Sequence, residues 1–415
     1  MINNESEFSS YMNKFVKSIL ALGITSALGI SAVNAATYQV IDKGDVSALK
    51  YTYSQQENNN GEAAISGTDI YNFPVQFEYL DEDDYDLIVS LADQSHEISD
   101  GLENIENEAT LRAGNPTAND LSWVIQFLRS RIGNTQYQQV GDIYAMTNFN
   151  GDTELLNVFD EKFAESDDYT RSTQDYISGV TNEGWVYGNA SAPFLPFEFT
   201  NSDGDVVTYW TREFTTRGFF SSDNGATIIE VLPPSETELA ENLRFGGESA
   251  ILDVSDSHIA VGYASTSLDQ TSIDAITDES GGCADPEEIE DIPYQICVQR
   301  AIGGAYNLEA IKWTIDEKGI VSSETLGKLV TPHEDDTREY TNLAQAVNSH
   351  GVAVGFSHGW WDENETNPSA DESREIYAVV YKNGEVKDFT DDHSKYFASK
   401  AYDINDAGLA VGHAS

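Results

Sequence analysis

The chain has 415 residues, enough for a sizeable core in one large or two ordinary domains. Its 71 acidic against 22 basic residues give a formal net charge of −49, spread along the whole chain. That argues against nucleic acid and anionic lipid surfaces as partners, since neither offers cations to pair with it. Hydrophobic residues at 40% and aromatics at 11% exclude wholesale disorder; the charge reads as a solvated surface screened by salt, with Ca²⁺ binding as the sharper alternative.

In chain order, an address comes first. Residues 1–11 fit no part of a signal peptide, and Met12 is the expected start. Lys14 and Lys17 then form a positive region, residues 19–32 an apolar one too short to span a bilayer, and Val33 and Ala35 a cleavage pattern. The signal peptide is therefore 1–35, cut between Ala35 and Ala36, and the expected location is outside the cytoplasm: periplasm, cell surface or medium. No later stretch is apolar enough to be a transmembrane span.

Residues 36–67 read as a worn first repeat unit with a turn at 58–61 (NNNG). Residues 81–139 break the β pattern. Leu121, Val124, Ile125, Leu128 and Ile132 follow helical spacing, with Asn119 or Asp120 as cap and Gly133 as stop. Leu91, Ile98, Leu102 and Ile105 give a weaker stripe, so 81–139 is expected to be an α-helical insertion packed on a β domain.

The β domain declares itself by its turns. An aliphatic residue is followed at +4 by Gly or His and at +8 by Gly in four places: 180–188, 254–262, 347–355 and 404–412. Thr181, Ser255, Asn348 and Asn405 suit the first turn position, and Gly184, His258, Gly351 and Gly408 the fourth. His is among the better non-Gly residues where φ is positive. The glycine at +8 lies inside the outgoing strand and predicts close approach of a neighbouring backbone. A second hairpin signal precedes each of these, at Gly151, Gly225, Gly319 and Gly384; the separations are 33, 33, 32 and 24 residues. Two hairpins per unit give four short strands, drawn as units 140–190, 215–264, 306–357 and 375–415. Such units read as blades of a β-propeller-like, all-β repeat domain over 36–415, with stacked β-solenoid coils as the competing architecture.

These phrases, with the short A-x-x-W/Y strands at 310–313 and 378–381, resemble the HAF-type repeat and the DUF3466 family of exported gammaproteobacterial proteins. The resemblance covers most of 36–415. It implies an exported protein without an assigned activity. It also implies further units and a C-terminal sorting segment, so the chain is expected to be a truncated fragment.

Two further insertions interrupt the units: 190–215, with a hairpin at 201–204, and 265–305. The latter carries Cys283 and Cys297, fourteen residues apart. In an exported chain this pair reads as a disulfide pinning a loop.

Sites are weighed against plain structural roles. GFSHG at 355–359 matches the nucleophile-elbow pattern, but GWWDENETNP follows where that motif requires a helix, so no catalytic residue is assigned. The seven histidines have no metal-ligand spacing. The acidic runs at 81–86, 287–291 and 334–336 read as solvated loops; Asn201, Asp203 and Asp205 begin like a Ca²⁺ loop but meet Arg212 at the twelfth position. His358, Trp360 and Trp361 beside an acidic loop are the candidate binding residues, because aromatic anchors mark recognition surfaces, with core filling between blades as the structural alternative. The expected function is non-catalytic binding of a protein or polysaccharide outside the cytoplasm, with no identified cofactor. The alternatives are a polymer hydrolase on a propeller scaffold and a Ca²⁺-stabilised structural surface protein.

Overall fold

The repeat in the sequence is a repeat of hairpins. The computed structural model describes residues 41, 43, 49–70, 73–98, 101–162, 169–233, 247–287, 289–302, 306–331, 340–359, 375–389 and 398–415. β1 (Leu49–Glu57), β2 (Ala63–Ile70), β3 (Ile143–Phe149) and β4 (Asp152–Leu155) pair antiparallel in that order as the first sheet. A small hairpin of β5 (Asp160–Lys162) and β6 (Tyr169–Arg171) follows. Next come β7 (Asp175–Val180), β8 (Val186–Ala190), a hairpin of β9 (Leu195–Thr200) and β10 (Val206–Thr211), then β11 (Arg217–Ser221) and β12 (Ile229–Val231). β7, β8, β11 and β12 form the second sheet, with β9 and β10 apart from it. The third sheet is β13 (Ser249–Val254), β14 (Ile259–Leu268), β15 (Tyr306–Asp316) and β16 (Gly319–Thr325). The fourth is β17 (Asn342–Val347), β18 (Ala353–Gly359), β19 (Glu375–Lys382) and β20 (Glu385–Asp388), and a final hairpin joins β21 (Ser399–Ile404) to β22 (Ala410–Ala414).

The protein is thus mostly β, in four-stranded antiparallel sheets. Each sheet joins the second hairpin of one sequence unit to the first hairpin of the next, so the units drawn from the sequence are one hairpin out of phase. The reason is physical. Turn residues locate a hairpin but do not say which neighbour it pairs with, and insertions separate the two hairpins that share a sheet.

Five turns of one design join the first two strands of each sheet. The fourth residue's N–H bonds back to the first carbonyl at Gly61, Gly184, His258, Gly351 and Gly408, at 2.9–3.1 Å. The first residue's side-chain oxygen accepts the N–H four positions on: Asn58 from Glu62 (3.0 Å), Thr181 from Trp185 (3.1 Å), Ser255 from Ile259 (3.3 Å), Asn348 from Val352 (3.0 Å) and Asn405 from Leu409 (3.0 Å). This short polar cap is why Asn, Ser and Thr recur there. All five fourth positions have positive φ, including His258 at 57°.

The +8 glycines have a separate cause. Each first strand carries a β-bulge: the register skips at Gln55, Ser178, Leu252, Gln345 and Tyr402. The bulge turns a first-strand carbonyl onto its partner strand. A Cβ at Gly188, Gly262, Gly355 or Gly412 would overlap the carbonyl oxygen of Tyr176, Ala250, Leu343 or Lys400.

The inner strands of the middle sheets are buried on both faces, because successive residues on one strand point to opposite neighbouring sheets. Val186 and Phe219 join Ala64, Ala145 and Ile177 between the first and second sheets. Tyr187 and Phe220, one position on, join Ile251, Ile311 and Trp313 between the second and third. Val261, Ala310, Ala344 and Tyr381 fill the third interface, and Ala346, Val354, Ala401 and Ile404 the fourth. The turns also touch in chain order: Asn58 Nδ2 donates to the Thr181 carbonyl (2.8 Å), Asn182 Nδ2 to Asp256 Oδ2 (3.1 Å), Ser257 Oγ to the Ser349 carbonyl (2.9 Å) and the Ser349 N–H to Asp406 Oδ1 (2.8 Å).

Each excursion departs from the same place, the connection between the second and third strands of a sheet. The first, 71–142, holds α1 (Glu82–Ser95), α2 (Glu108–Arg112) and α3 (Ala118–Arg129). Trp123, Val124, Phe127 and Leu128 pack with Ile88, Tyr85 and Tyr144 on the first sheet. Two details depart from expectation. Thr117 caps α3, while Asp120 accepts the N–H groups of Glu106 (2.8 Å) and Asn107 (3.0 Å), and Ile132 is exposed. The acidic run at 81–86 is no loop: Asp81 caps α1, and Glu82, Asp83 and Asp84 occupy the first turn, where the helix dipole favours negative charge. The second excursion is the β9–β10 hairpin. The third holds α4 (Gln270–Thr277) and α5 (Tyr294–Ile302), where a loop was expected; the Cys283–Cys297 disulfide (Cα–Cα 5.6 Å) ties the segment after α4 to α5. In the antiparallel order these connections lie at the sheet ends opposite the five turns.

Candidate functional site

Three excursions meet. Tyr79 of the first packs edge-on against Trp210 of the second (5.3 Å), and the Trp210 N–H donates to the Thr135 carbonyl (2.6 Å). Ser202 of the second donates its hydroxyl to Asp291 Oδ1 of the third (2.5 Å). The backbone leading into β7 closes the floor: the Asp142 N–H donates to the Thr173 carbonyl (2.9 Å), and Ile143 bridges Gln174.

At this junction lies a pocket of about 380 Å³. The first excursion lines it with Ile132, Gly133, Thr135, Gln139, Val140 and Asp142, the second with Phe194 and Arg212, and the third with Ile296, Gln299 and Arg300; Thr173 and Gln174 complete it. Gln139 is committed to structure, accepting the Gly133 N–H and donating to the Asn134 and Tyr137 carbonyls, each at 2.9 Å. Beneath the wall, Arg171 pairs with Asp175 (3.0 Å), both buried, and lies over the Tyr144 ring (4.7 Å). Burial pushes the Asp175 carboxyl up to about 6 against the pull of Arg171. A Cβ at Gly141 would meet the buried Tyr144 hydroxyl, so that position needs glycine.

Arg212 is held differently. Thr211 pairs with Leu195 in the β9–β10 register, which sets Arg212 opposite Phe194, its guanidinium 5.1 Å from the ring centroid. Among the described residues it makes no hydrogen bond or ion pair. Burial lowers its pKa, and the Glu248 carboxylate raises it only in part. Gln299 Oε1 is buried without a hydrogen-bond partner. The pocket therefore offers an uncommitted donor fork and an uncommitted acceptor. A larger groove of about 770 Å³ runs between Pro74 and Asn115 within the first excursion. Its one cation, Arg112, is already held by Glu82 (2.6 Å), Asp86 (2.6 Å) and Glu108 (2.7 Å).

Of the candidate binding residues, His358 is among the described residues and does not line this pocket. His358, near the end of β18, is half-buried, with Nδ1 accepting the Thr341 N–H (3.1 Å) and its ring edge-on to Tyr340 (5.6 Å). Trp360 and Trp361 lie outside the described residues, as do Ala35, Ala36 and the acidic run at 334–336. Ser357 is buried within a strand, its Oγ 2.9 Å from the Tyr340 hydroxyl, so GFSHG forms no nucleophile elbow. Asn201 accepts the Asp205 N–H (2.8 Å) as part of the hairpin turn. Among the described residues no group of three or more His, Cys, Asp or Glu side chains is arranged to hold a metal ion, and no helix is long and apolar enough to cross a membrane. Arg212, Gln299 and Arg300 were missed because they come from two excursions far apart in the sequence, Arg212 from the second and Gln299 and Arg300 from the third. The one sequence signal was Arg212 facing Phe194 across the hairpin turn at 201–204.

The architecture defines a class: repeated antiparallel sheets whose excursions gather at one end around a pocket. Residues 14–415 match the family described as "Protein of unknown function (DUF3466)", and the chain belongs to that family. No curated protein and no solved structure gives a significant match.

Proposed function

We propose that the protein is an exported, extracytoplasmic binding protein, with a propeller-type scaffold and a ligand pocket built by its excursions. Three features support the scaffold. The first strands of successive sheets pack against one another, β1 on β7, β7 on β13, β13 on β17 and β17 on β21. The outward strand β16 is largely exposed. Polar side chains from the first strands bridge neighbouring sheets: Gln56 Oε1 accepts the Val180 N–H and Asp253 Oδ2 the Val347 N–H, each at 2.8 Å. The signal-peptide pattern at 12–35 and the disulfide support export, since disulfides persist in oxidising compartments. Mass spectrometry of the extracytoplasmic fraction should find a mature N-terminus at Ala36; an uncleaved cytoplasmic chain contradicts export.

The observation that carries the binding role is the convergence of three excursions on one pocket in which the Arg212 guanidinium and Gln299 Oε1 have no hydrogen-bond partner within the described residues. Recognition sites combine a concave wall with a few placed polar groups. Hydrolysis of a polymer would call for paired acid and base groups, and among the lining residues Asp142 is the single carboxylate. A thermal-shift screen of small solutes tests the reading. Ligands should stabilise the wild type and leave the pocket-filling variant Gln174→Trp unmoved. Ligands that stabilise both equally, or none at all, contradict it.

A further inference from the structure

We infer that the pocket takes a small monocarboxylate bearing hydrogen-bond donors on its other side, its carboxylate held by the Arg212 guanidinium and a donor group by Gln299 Oε1. The inference rests on the binding role proposed above and adds the chemistry of the ligand.

The charge balance comes first. With 22 basic residues against 71 acidic, cations are scarce, and nearby buried arginines are spent on carboxylates: Arg171 on Asp175 (3.0 Å) and Arg217 on Glu230 (2.5 Å). Arg212 is half-buried, and no carboxylate within the described residues lies within ion-pair distance of it, although the Glu248 carboxylate acts on it from farther off. A guanidinium partly removed from water with no direct partner carries a cost. A bound carboxylate would offset that cost, and burial already draws the Arg212 pKa down in its absence.

Geometry narrows the ligand. The Arg212 guanidinium carbon lies over the Phe194 ring at 5.1 Å, and none of its N–H groups is taken up by a hydrogen bond within the described residues, so they are free for a planar two-oxygen partner. Fork-to-fork pairing is what guanidinium and carboxylate do best. The charged side chains lining the pocket are Arg212, Arg300 and Asp142, two positive against one negative. That sum suits a monoanion better than a phosphate dianion. Gln299 Oε1 is turned away from solvent and unsatisfied; rotating the side-chain amide towards the ligand would give it a donor, and Asp142 can accept a second. The volume of about 380 Å³ lies at the small end of ligand pockets. Sugar acids supply the donors as hydroxyls and amino acids as an ammonium; the recognising chemistry is shared.

Isothermal titration calorimetry on the mature protein decides it, with D-glucuronate and L-glutamine as the two donor-bearing carboxylates and acetate, D-glucose and inorganic phosphate as controls. At least one of the first two should bind at least tenfold more tightly than every control, and its affinity should fall as NaCl is raised. Arg212→Gln should weaken it at least tenfold, with Arg212→Lys in between, because lysine keeps the charge and loses the fork. Arg300→Gln at the exposed rim, a change the fold should tolerate, should weaken binding a few-fold and flatten the salt dependence. That variant keeps the test alive if Arg212→Gln does not fold by calorimetry. Glucose or phosphate binding as tightly as the carboxylates, in a manner blocked by Gln174→Trp, would overturn the carboxylate assignment and leave the binding role standing. Failure of both carboxylates to bind, or binding indifferent to Arg212→Gln, Arg300→Gln and Gln174→Trp alike, would overturn the inference. If the solute screen is also empty, the binding role falls with it.

Discussion

Tyr187 of the second sheet donates its hydroxyl to Asp253 Oδ1 of the third at 3.1 Å. The other oxygen of the same carboxylate accepts the Val347 N–H of the fourth sheet at 2.8 Å. One side chain thus ties three sheets together. Burial pushes its pKa up to about 6, against the pull of these hydrogen bonds; the nearby Asp403 carboxylate adds to the rise. A carboxyl whose pKa is raised on folding binds more protons folded than unfolded. Its contribution is therefore fully present below the unfolded value of 3.8 and is lost as pH rises towards about 6. The slope is about 1.4 kcal/mol per pH unit for each such group. Asp175, also raised to about 6 by burial, acts in the same window. Denaturant titrations at pH 4.5 and 7 should show the wild type losing stability, and Asp253→Asn losing less, since an amide does not titrate; it keeps an acceptor for Val347 and can donate to the Tyr187 oxygen in place of accepting from it. Equal slopes would show that Asp253 ionises freely in the folded protein.

The bulge makes a sharper steric claim. Gly262→Ala places a methyl against the Ala250 carbonyl oxygen, which belongs to the backbone and cannot swing away. We expect a loss of about 1–3 kcal/mol, the usual range for overpacking. Gly247, whose nearest neighbour is the Ser265 hydroxyl, should cost less as Ala because a side chain can move. A neutral Gly262→Ala in thermal melts would mean that the bulge is not fixed.

The disulfide closes a loop between α4 and α5, with Cys283 buried among Leu268, Ile276, Val298 and Tyr306. Loop-closure entropy for a loop this short is worth about 3 kcal/mol. Denaturing, non-reducing alkylation should find no free thiol, and reduction should lower the melting temperature. Two free thiols, or an unchanged melt, would count against the bond.

How much of this was legible beforehand follows from range. The turns were, because Asn348 and Gly351 do their work within five residues of each other. So was the α3 stripe, and so was the cysteine pair once export was read. What failed was non-local. The sheet phase needed strand partners far along the chain, from Gly359 with Glu375, 16 residues on, to Ala63 with Asn148, 85 residues on. The bulge left its glycine in the sequence but not its cause, a carbonyl on another strand. Residues 81–86 were misjudged because a run of Asp and Glu looks alike in a loop and in a helix's first turn. Residues 270–277 were read as loop since Gly281, Gly282 and Pro286 dominate the stretch beyond them. Arg212 and Gln299 lie 87 positions apart, and only the fold brings them to one pocket.

The net charge of −49 should make stability depend on salt. Melting temperature should rise with NaCl as self-repulsion is screened. CaCl₂ at matched ionic strength should do no more. A much larger rise with Ca²⁺ would show a specific site, the Ca²⁺-stabilised alternative.

The central claim is that three excursions form one binding site, and hydrogen–deuterium exchange tests it most directly. With a saturating ligand from the solute screen, protection should appear together in 132–142, 194–212 and 296–300, while the turns at 58–61, 181–184 and 255–258 exchange as before. Protection confined to the turns, or to a single excursion, would contradict the account.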